Sequence, residues 1–128
     1  MAEKIAVVGA GAIGGVIGGY LCRAGADVTL IDTWPAHVDQ IRRHGLKITA
    51  QEEEFTVDVP ALHLGEVSAH QPRFDVVLLC VKSYDTRWAT TFIEPYLAAG
   101  GFVVSAQNSI NEETIAEVVG WSRVVGCV

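Results

Sequence analysis

Basic residues are scarce in this 128-residue chain. Nine lysines and arginines stand against fifteen aspartates and glutamates, and the formal charge of −6 argues against nucleic acid or an anionic membrane as partner. A local basic site for one phosphate is still allowed. No apolar run approaches the ~18 residues of a membrane-spanning helix. Met1-Ala2-Glu3-Lys4 leads directly into strand-like sequence, with no room for a secretory signal. Cysteine is rare and odd in number: Cys22, Cys80 and Cys127 each sit among apolar neighbours and read as reduced thiols of a cytoplasmic protein, not as a disulfide framework. His37, His44, His63 and His70 lack metal-ligand spacing and an adjacent nucleophile, so they read as surface or structural residues. Repeats, low-complexity tracts and linkers are lacking. With 50% hydrophobic and 19% charged residues, one folded domain is expected.

What is present is concentrated in residues 4 to 32. An apolar run, Ile5 to Val8, enters Gly9-Ala10-Gly11-Ala12-Ile13-Gly14; helical spacing follows, and a second strand-like run ends at Asp32. This is a βαβ unit with a dinucleotide fingerprint. Gly9 permits a sharp exit from the strand, Gly11 carries no Cβ to hold the backbone off a pyrophosphate, and Gly14 lets the helix lie close to the sheet. The pyrophosphate would sit on unpaired N–H groups at the positive end of the helix dipole. Asp32 lies 18 residues after Gly14, near the ~20 expected of a carboxylate that accepts from a ribose hydroxyl. The plainer reading is a glycine-rich turn needed only for packing.

In the first helix Ile13, Val16, Ile17, Tyr20 and Leu21 form an apolar stripe expected to face the sheet, while Gly15, Gly18 and Gly19 suggest close backbone packing. Pro35 suits the first turn of a helix running to about His44, closed by Gly45. Leu46 to Ala50 and Glu54 to Val59 read as a hairpin around Gln51-Glu52-Glu53. Glu52, Glu53, Glu54 and Asp58 are its solvated face. Pro60 to Pro72 is weakly patterned, with a short helix around Glu66 to His70. Phe74 to Val81 is nearly continuous apolar sequence, as for a parallel strand buried on both faces. A helix then runs to about Leu97, bent or broken at Pro95. Gly100-Gly101 resets the chain before a strand at Phe102 to Ser105, Asn111 caps a helix from Glu112 to Val119, and Arg123 to Val128 reads as a last strand. Because the sequence stops in strand-like residues, a domain cut from something longer is expected. The fold class is α/β: a Rossmann-like, doubly wound, mostly parallel sheet with helices on both faces and an inserted β-hairpin.

Such sheets bind ligands at the carboxyl ends of their strands, near the topological switch. Three segments qualify: Gly9 to Gly14, Cys80 to Thr86, and Gln107 to Asn111. Lys82 follows a buried strand and can reach a phosphate or a polarised carbonyl oxygen, the alternative being a solvated lysine. Asn108 offers donor and acceptor to a nicotinamide ribose or a substrate carbonyl, or it forms a turn. Asp85 reads as a helix cap before a site acid, and Glu112 and Glu113 as ordinary first-turn carboxylates. Trp34 either borders an adenine or packs.

With these residues placed, all 128 positions resemble the N-terminal domain of the ketopantoate reductase (2-dehydropantoate 2-reductase) family. The resemblance is carried by Gly9-Ala10-Gly11-Ala12-Ile13-Gly14, by Val81-Lys82-Ser83-Tyr84-Asp85-Thr86 and by Gln107-Asn108, in the family's order and approximate spacing. It implies hydride transfer from a nicotinamide to a 2-oxoacid on the route to pantothenate. Gly9, Ala10, Gly11, Ala12, Ile13 and Gly14 would hold the pyrophosphate, Lys82 would line the active cleft, and Asn108 would touch cofactor and substrate. The family's proton-donating lysine and most substrate contacts lie in a helical C-terminal domain outside this chain, so these residues alone should bind dinucleotide and catalyse little. Two departures stand out. Where NADP-preferring members carry a basic residue, this chain has Asp32-Thr33-Trp34, with no basic side chain until His37; a carboxylate there favours NAD over NADP. Ser109 replaces a frequent glycine, which leaves the substrate's identity more open. Competing readings are another β-hydroxyacid dehydrogenase and a stand-alone dinucleotide-binding or redox-sensing module. Oligomeric state is left open, a homodimer included.

Overall fold

The computed structural model describes residues 3–107 and 111–126. Six parallel strands form one sheet in the order β5-β2-β1-β6-β7-β8: β1 Lys4–Val8, β2 Asp27–Asp32, β5 Ala61–His63, β6 Phe74–Leu79, β7 Leu97–Ser105 and β8 Val124–Gly126. The chain first builds outward from β1 through β2 to β5, then crosses back to place β6 on β1's other side. The topological switch therefore lies between β1 and β6.

Alternation along β1 explains why both faces are covered. Ala6 and Val8 enter one core with Ile31, Val67, Val77, Leu79, Ala89, Ile93 and Ile115, under helices α3 Leu64–His70, α4 Thr86–Ile93 and α5 Glu112–Val119. Val7 enters a second core with Val28, Leu30, Val38, Ile41, Leu46 and Ile48, under α1 Ala12–Arg23, α2 Pro35–His44 and the antiparallel hairpin β3 Leu46–Thr49 and β4 Glu54–Val57. The expected architecture, hairpin included, is the one observed.

The expected orientation of α1 is corrected. Its buried residues are Gly14, Gly15, Gly18 and Gly19, whereas Ile13 and Val16 are 48% and 42% exposed. A Cβ at Gly18 would stand 2.5 Å from Leu30 Cδ2, and one at Gly19 would stand 2.7 Å from Ile48 Cδ1. The helix thus lies too close to β2 and the hairpin for side chains on that face. Its apolar stripe is displaced toward the hairpin and the solvent.

Three smaller differences have local causes. The weakly patterned stretch holds β5, three residues after Pro60 that pair Leu30, Ile31 and Asp32. α4 ends at Ile93 and a 3-10 turn, Glu94–Tyr96, carries Pro95. β7 starts at Leu97, ahead of the two glycines: Leu97 pairs Phe74, a register shift follows, and Arg123 donates to the carbonyls of Gly101 (2.8 Å) and Ala98 (3.0 Å) to hold the irregular segment. The last strand is described as Val124–Gly126, after a 3-10 turn at Trp121–Arg123.

Candidate functional site

Strand register brings the three expected segments level. Val8 pairs both Ile31 and Leu79, and Leu79 pairs Ser105, so Gly9, Asp32, Cys80 and Ala106 form one rim directly above. Main-chain bonds continue the ladder by one step: Gly9 N–H donates to Ile31 O, Cys80 N–H to Val8 O and Ala106 N–H to Leu79 O, at 2.8, 2.9 and 3.0 Å.

The fingerprint glycines divide by what requires them. Gly9 has φ +98°, and a Cβ there would lie 3.1 Å from the Cys80 carbonyl; at Gly14 a Cβ would lie 1.8 Å from the Gly9 oxygen. The fold itself excludes larger residues at both. Among the described residues, nothing beyond Gly11 itself and its chain neighbours lies within 4 Å of a Cβ placed there. Nothing in the chain's own packing demands glycine there, so the demand fits a ligand in the space in front. Gly11 is also the N-cap of α1, with no side-chain cap and no acidic residue in the first turn. The opening amides of α1 therefore present an uncompensated positive end.

Asp32 closes β2 with both oxygens engaged. Oδ2 accepts from Ala10 N–H (2.9 Å) and Oδ1 from Trp34 N–H (3.0 Å). His37 Nε2 lies 2.7 Å from the Ala10 carbonyl. A carbonyl can only accept, so Nε2 carries the proton. The His37 ring stacks on Trp34, centroids 6.0 Å apart and 29° between planes, and Trp34 remains 65% exposed. These residues, with Gly11, Ala12 and strand β3, line a cleft of about 490 Å³. On the other side of the glycine loop, Ile13, Cys80, Lys82, Ser83, Ala106 and Gln107 line a second cleft of about 220 Å³. Gly11 and Ala12 line both.

Lys82, exposed at the edge of the second cleft, begins the 3-10 turn Ser83–Asp85. Gln107 braces this side: its Nε2 donates to Val81 O (3.0 Å) and Thr86 Oγ1 (2.7 Å), and its Oε1 accepts from Ser105 Oγ (3.0 Å). Asn108 and Ser109 lie outside the described residues. Asp85 stands at the N-cap of α4, but its side chain does not cap the helix; it accepts from Trp88 Nε1 at 2.9 Å and lines a cleft of about 200 Å³ with Gly9, Gly11, Asp32 and Lys82. Asn111 occupies the N-cap of α5, but its Nδ2 donates to Ser83 Oγ at 3.3 Å instead of its side chain capping the helix.

The hairpin that walls the larger cleft is tied to α1. Arg23 lies over the Phe55 and Tyr20 rings, 4.1 and 4.8 Å from their centroids, and bonds Glu53 at 3.1 Å, while Tyr20 O–H donates to Glu53 at 2.8 Å. The Arg23 and Tyr20 bonds hold the Glu53 carboxyl below its usual range, and the bond to Glu53 raises the Tyr20 phenol. His63 caps α3 with Glu66, whose carboxyl is lowered by the His63 N–H and by Arg42.

Sequence reasoning placed Gly9 to Gly14, Asp32, Trp34 and Lys82 at these clefts. It also placed Gln107 at the rim, through the segment Gln107 to Asn111, and missed His37 and the hairpin strand as lining. A signal for His37 was available: three residues after Trp34, across a helix start at Pro35, it shares that residue's helix face.

A family model described as ketopantoate reductase PanE/ApbA matches residues 5–128. A 2-dehydropantoate 2-reductase of Pyrococcus abyssi is 41% identical over 118 residues, covering 91% of this chain and 37% of that protein. Among solved structures, a PanE/ApbA family ketopantoate reductase from Ralstonia eutropha JMP134 is 38% identical with a TM-score of 0.83, over 96% of this chain and 39% of that one. A D-mandelate dehydrogenase solved with NADH and anilino(oxo)acetate is 31% identical with a TM-score of 0.85, over 94% of this chain and 39% of that one. The chain therefore spans about two fifths of the length of these relatives.

Proposed function

This chain belongs to the ketopantoate reductase PanE/ApbA family, and on that premise we propose that it is the dinucleotide-binding domain of a cytoplasmic reductase that converts a 2-oxoacid, 2-dehydropantoate first among candidates, to its 2-hydroxyacid. The observation that carries the reading is the pair of clefts meeting at Gly11 and Ala12, over an open Gly11 and the bare N-terminus of α1. That arrangement suits a two-ended ligand with its negative charge in the middle. The adenosine half belongs to the cleft of Asp32 and Trp34, and the nicotinamide half to that of Lys82.

The bound nicotinamide supplies hydride to the carbonyl carbon of the 2-oxoacid, and a proton completes the hydroxyl. This chain's residues bind and orient. The α1 amides neutralise the pyrophosphate, Asp32 accepts from the adenosine ribose, and the Lys82 ammonium stabilises charge on the substrate oxygen or a phosphate. By the family resemblance, Asn108 would touch both cofactor and substrate. The proton donor lies in a helical domain beyond these 128 residues, a division supported by the two-fifths coverage of the relatives. NAD is preferred over NADP, since an Asp32 carboxylate held toward the loop by Ala10 and Trp34 repels a 2′-phosphate.

A second reading, reduction of a different 2-oxoacid with NADH, is favoured by the likeness to D-mandelate dehydrogenase. One set of assays decides. The chain is titrated with NADH and NADPH, and the complete enzyme is supplied with 2-dehydropantoate and with phenylglyoxylate-type 2-oxoacids. Saturable NADH binding and turnover of 2-dehydropantoate support the first reading. Turnover of the aromatic acid alone supports the second, and binding of neither dinucleotide overturns both.

A further inference from the structure

We propose that His37 is a positioning residue for the adenosine half of the cofactor, fixing the Ala10 peptide and the Trp34 indole as one rigid wall of the larger cleft. The inference rests on the dinucleotide reading above. Three observations made in separate parts of the chain converge on it. Ala10 is gripped at both main-chain polar atoms, its N–H by Asp32 Oδ2 at 2.9 Å and its carbonyl by His37 Nε2 at 2.7 Å. The peptide joining Ala10 to Gly11 is planar and trans, so a carbonyl turned to His37 directs the Gly11 N–H the opposite way. His37 thereby sets the orientation of an amide at the point where the two clefts meet.

The same imidazole stacks on Trp34, whose own N–H is held by Asp32 Oδ1 at 3.0 Å. An indole 65% exposed beside a largely apolar cleft leaves a large aromatic face in the open. Within the adenosine half the purine has the flat face to match it, as every base does. An indole resting on an imidazole that is itself tied to the glycine loop cannot swing independently of that loop. The distance between purine platform and phosphate seat is thus set through one side chain.

The test uses the 128-residue chain, with ADP-ribose and reduced nicotinamide mononucleotide as separate probes of the two halves. His37→Phe keeps a stacking ring and removes the N–H donor. It should weaken ADP-ribose binding about threefold to tenfold, the worth of one net hydrogen bond, and weaken the mononucleotide, which meets only the shared Gly11 amide, distinctly less. His37→Gln, with an N–H in reach of the Ala10 carbonyl, should recover most of the loss. Trp34→Ala, at an exposed position, should also weaken ADP-ribose selectively. Wild-type ADP-ribose affinity in His37→Phe or Trp34→Ala overturns the proposal, as does an equal loss for both probes, which marks a general structural role. Should the unaltered chain bind NADH, NADPH and ADP-ribose not at all, the cofactor reading falls and this inference with it.

Discussion

A Cβ on Gly14 would stand 1.8 Å from the carbonyl oxygen of Gly9, so the helix that receives the phosphate touches the turn that leads into it. Gly11, between them, meets no other described residue within 4 Å of a Cβ placed on it. The two substitutions should therefore separate folding from binding. Gly14→Ala cannot be accommodated by a rotamer change and should destabilise by about 3 kcal/mol. Gly11→Ala should change stability by less than about 1 kcal/mol, while NADH affinity falls roughly tenfold or more. Thermal melts and dinucleotide titrations of both variants check this, and a stable Gly14→Ala would mean that the loop is looser than described.

Cofactor choice turns on Asp32. The chain should bind NADH more tightly than NADPH by roughly tenfold. Asp32→Arg should narrow or reverse that gap by exchanging repulsion of a 2′-phosphate for attraction. Fluorescence titration with both dinucleotides reads the ratio. A preference for NADPH in the unaltered chain would show that Lys47, which lines the same cleft but bonds Glu54 at 3.2 Å, governs the phosphate instead.

Lys82 should matter for turnover and little for folding, because it is exposed at the rim. In the complete enzyme Lys82→Met should lower kcat/KM for the 2-oxoacid about 10²- to 10³-fold, with a smaller loss of NADH affinity. The 128-residue chain by itself should bind NADH yet not consume it when 2-oxoacid is added. Steady consumption by the isolated chain would place the proton donor within it.

The tie between hairpin and α1 should weaken in acid. Glu53 has its folded pKa depressed by Arg23 and then Tyr20, so its contribution is present above the usual glutamate value, about 4.3, and is lost as pH falls through the depressed value. Glu53→Gln should melt lower than the wild type near neutrality, and the difference should vanish in acid. The contact is solvent-exposed, so the effect is modest. No difference near neutrality would assign the tie to Arg23 stacking on Phe55 and Tyr20, at 4.1 and 4.8 Å, and not to charge.

The fold was legible in residues 4 to 32 because strand and helix periods alternate there cleanly and Asp32 ends the second strand where a ribose acid belongs. Glycine pattern identified the phosphate loop and rightly suggested close packing at Gly15, Gly18 and Gly19, but the apolar spacing misled. Ile13, Val16 and Tyr20 have the spacing of a buried stripe, and only the contacts of Gly18 with Leu30 and Gly19 with Ile48 reveal that the bare face is the one turned inward. β5 escaped because three residues after a proline carry no period. Leu97 escaped because Gly100 and Gly101 resemble a chain break, whereas pairing with Phe74 and two bonds from Arg123 are tertiary facts. His37 belongs to the same class. Its spacing from Trp34 hinted at a shared helix face, but its bond to a main-chain carbonyl 27 residues away is encoded by no local pattern.

The level ends of β1, β2, β6 and β7 bear on how this chain tolerates change of length. A residue added between Gln51 and Glu53 would lengthen an exposed turn and leave the binding walls where they are. One residue added within any of those four strands would lift a single wall by about 3.3 Å and turn its side chains to the opposite face. Insertions would thus be tolerated at the hairpin tip and rejected along the sheet, giving a map of permitted length variation that can be read by transposon or codon-insertion scanning.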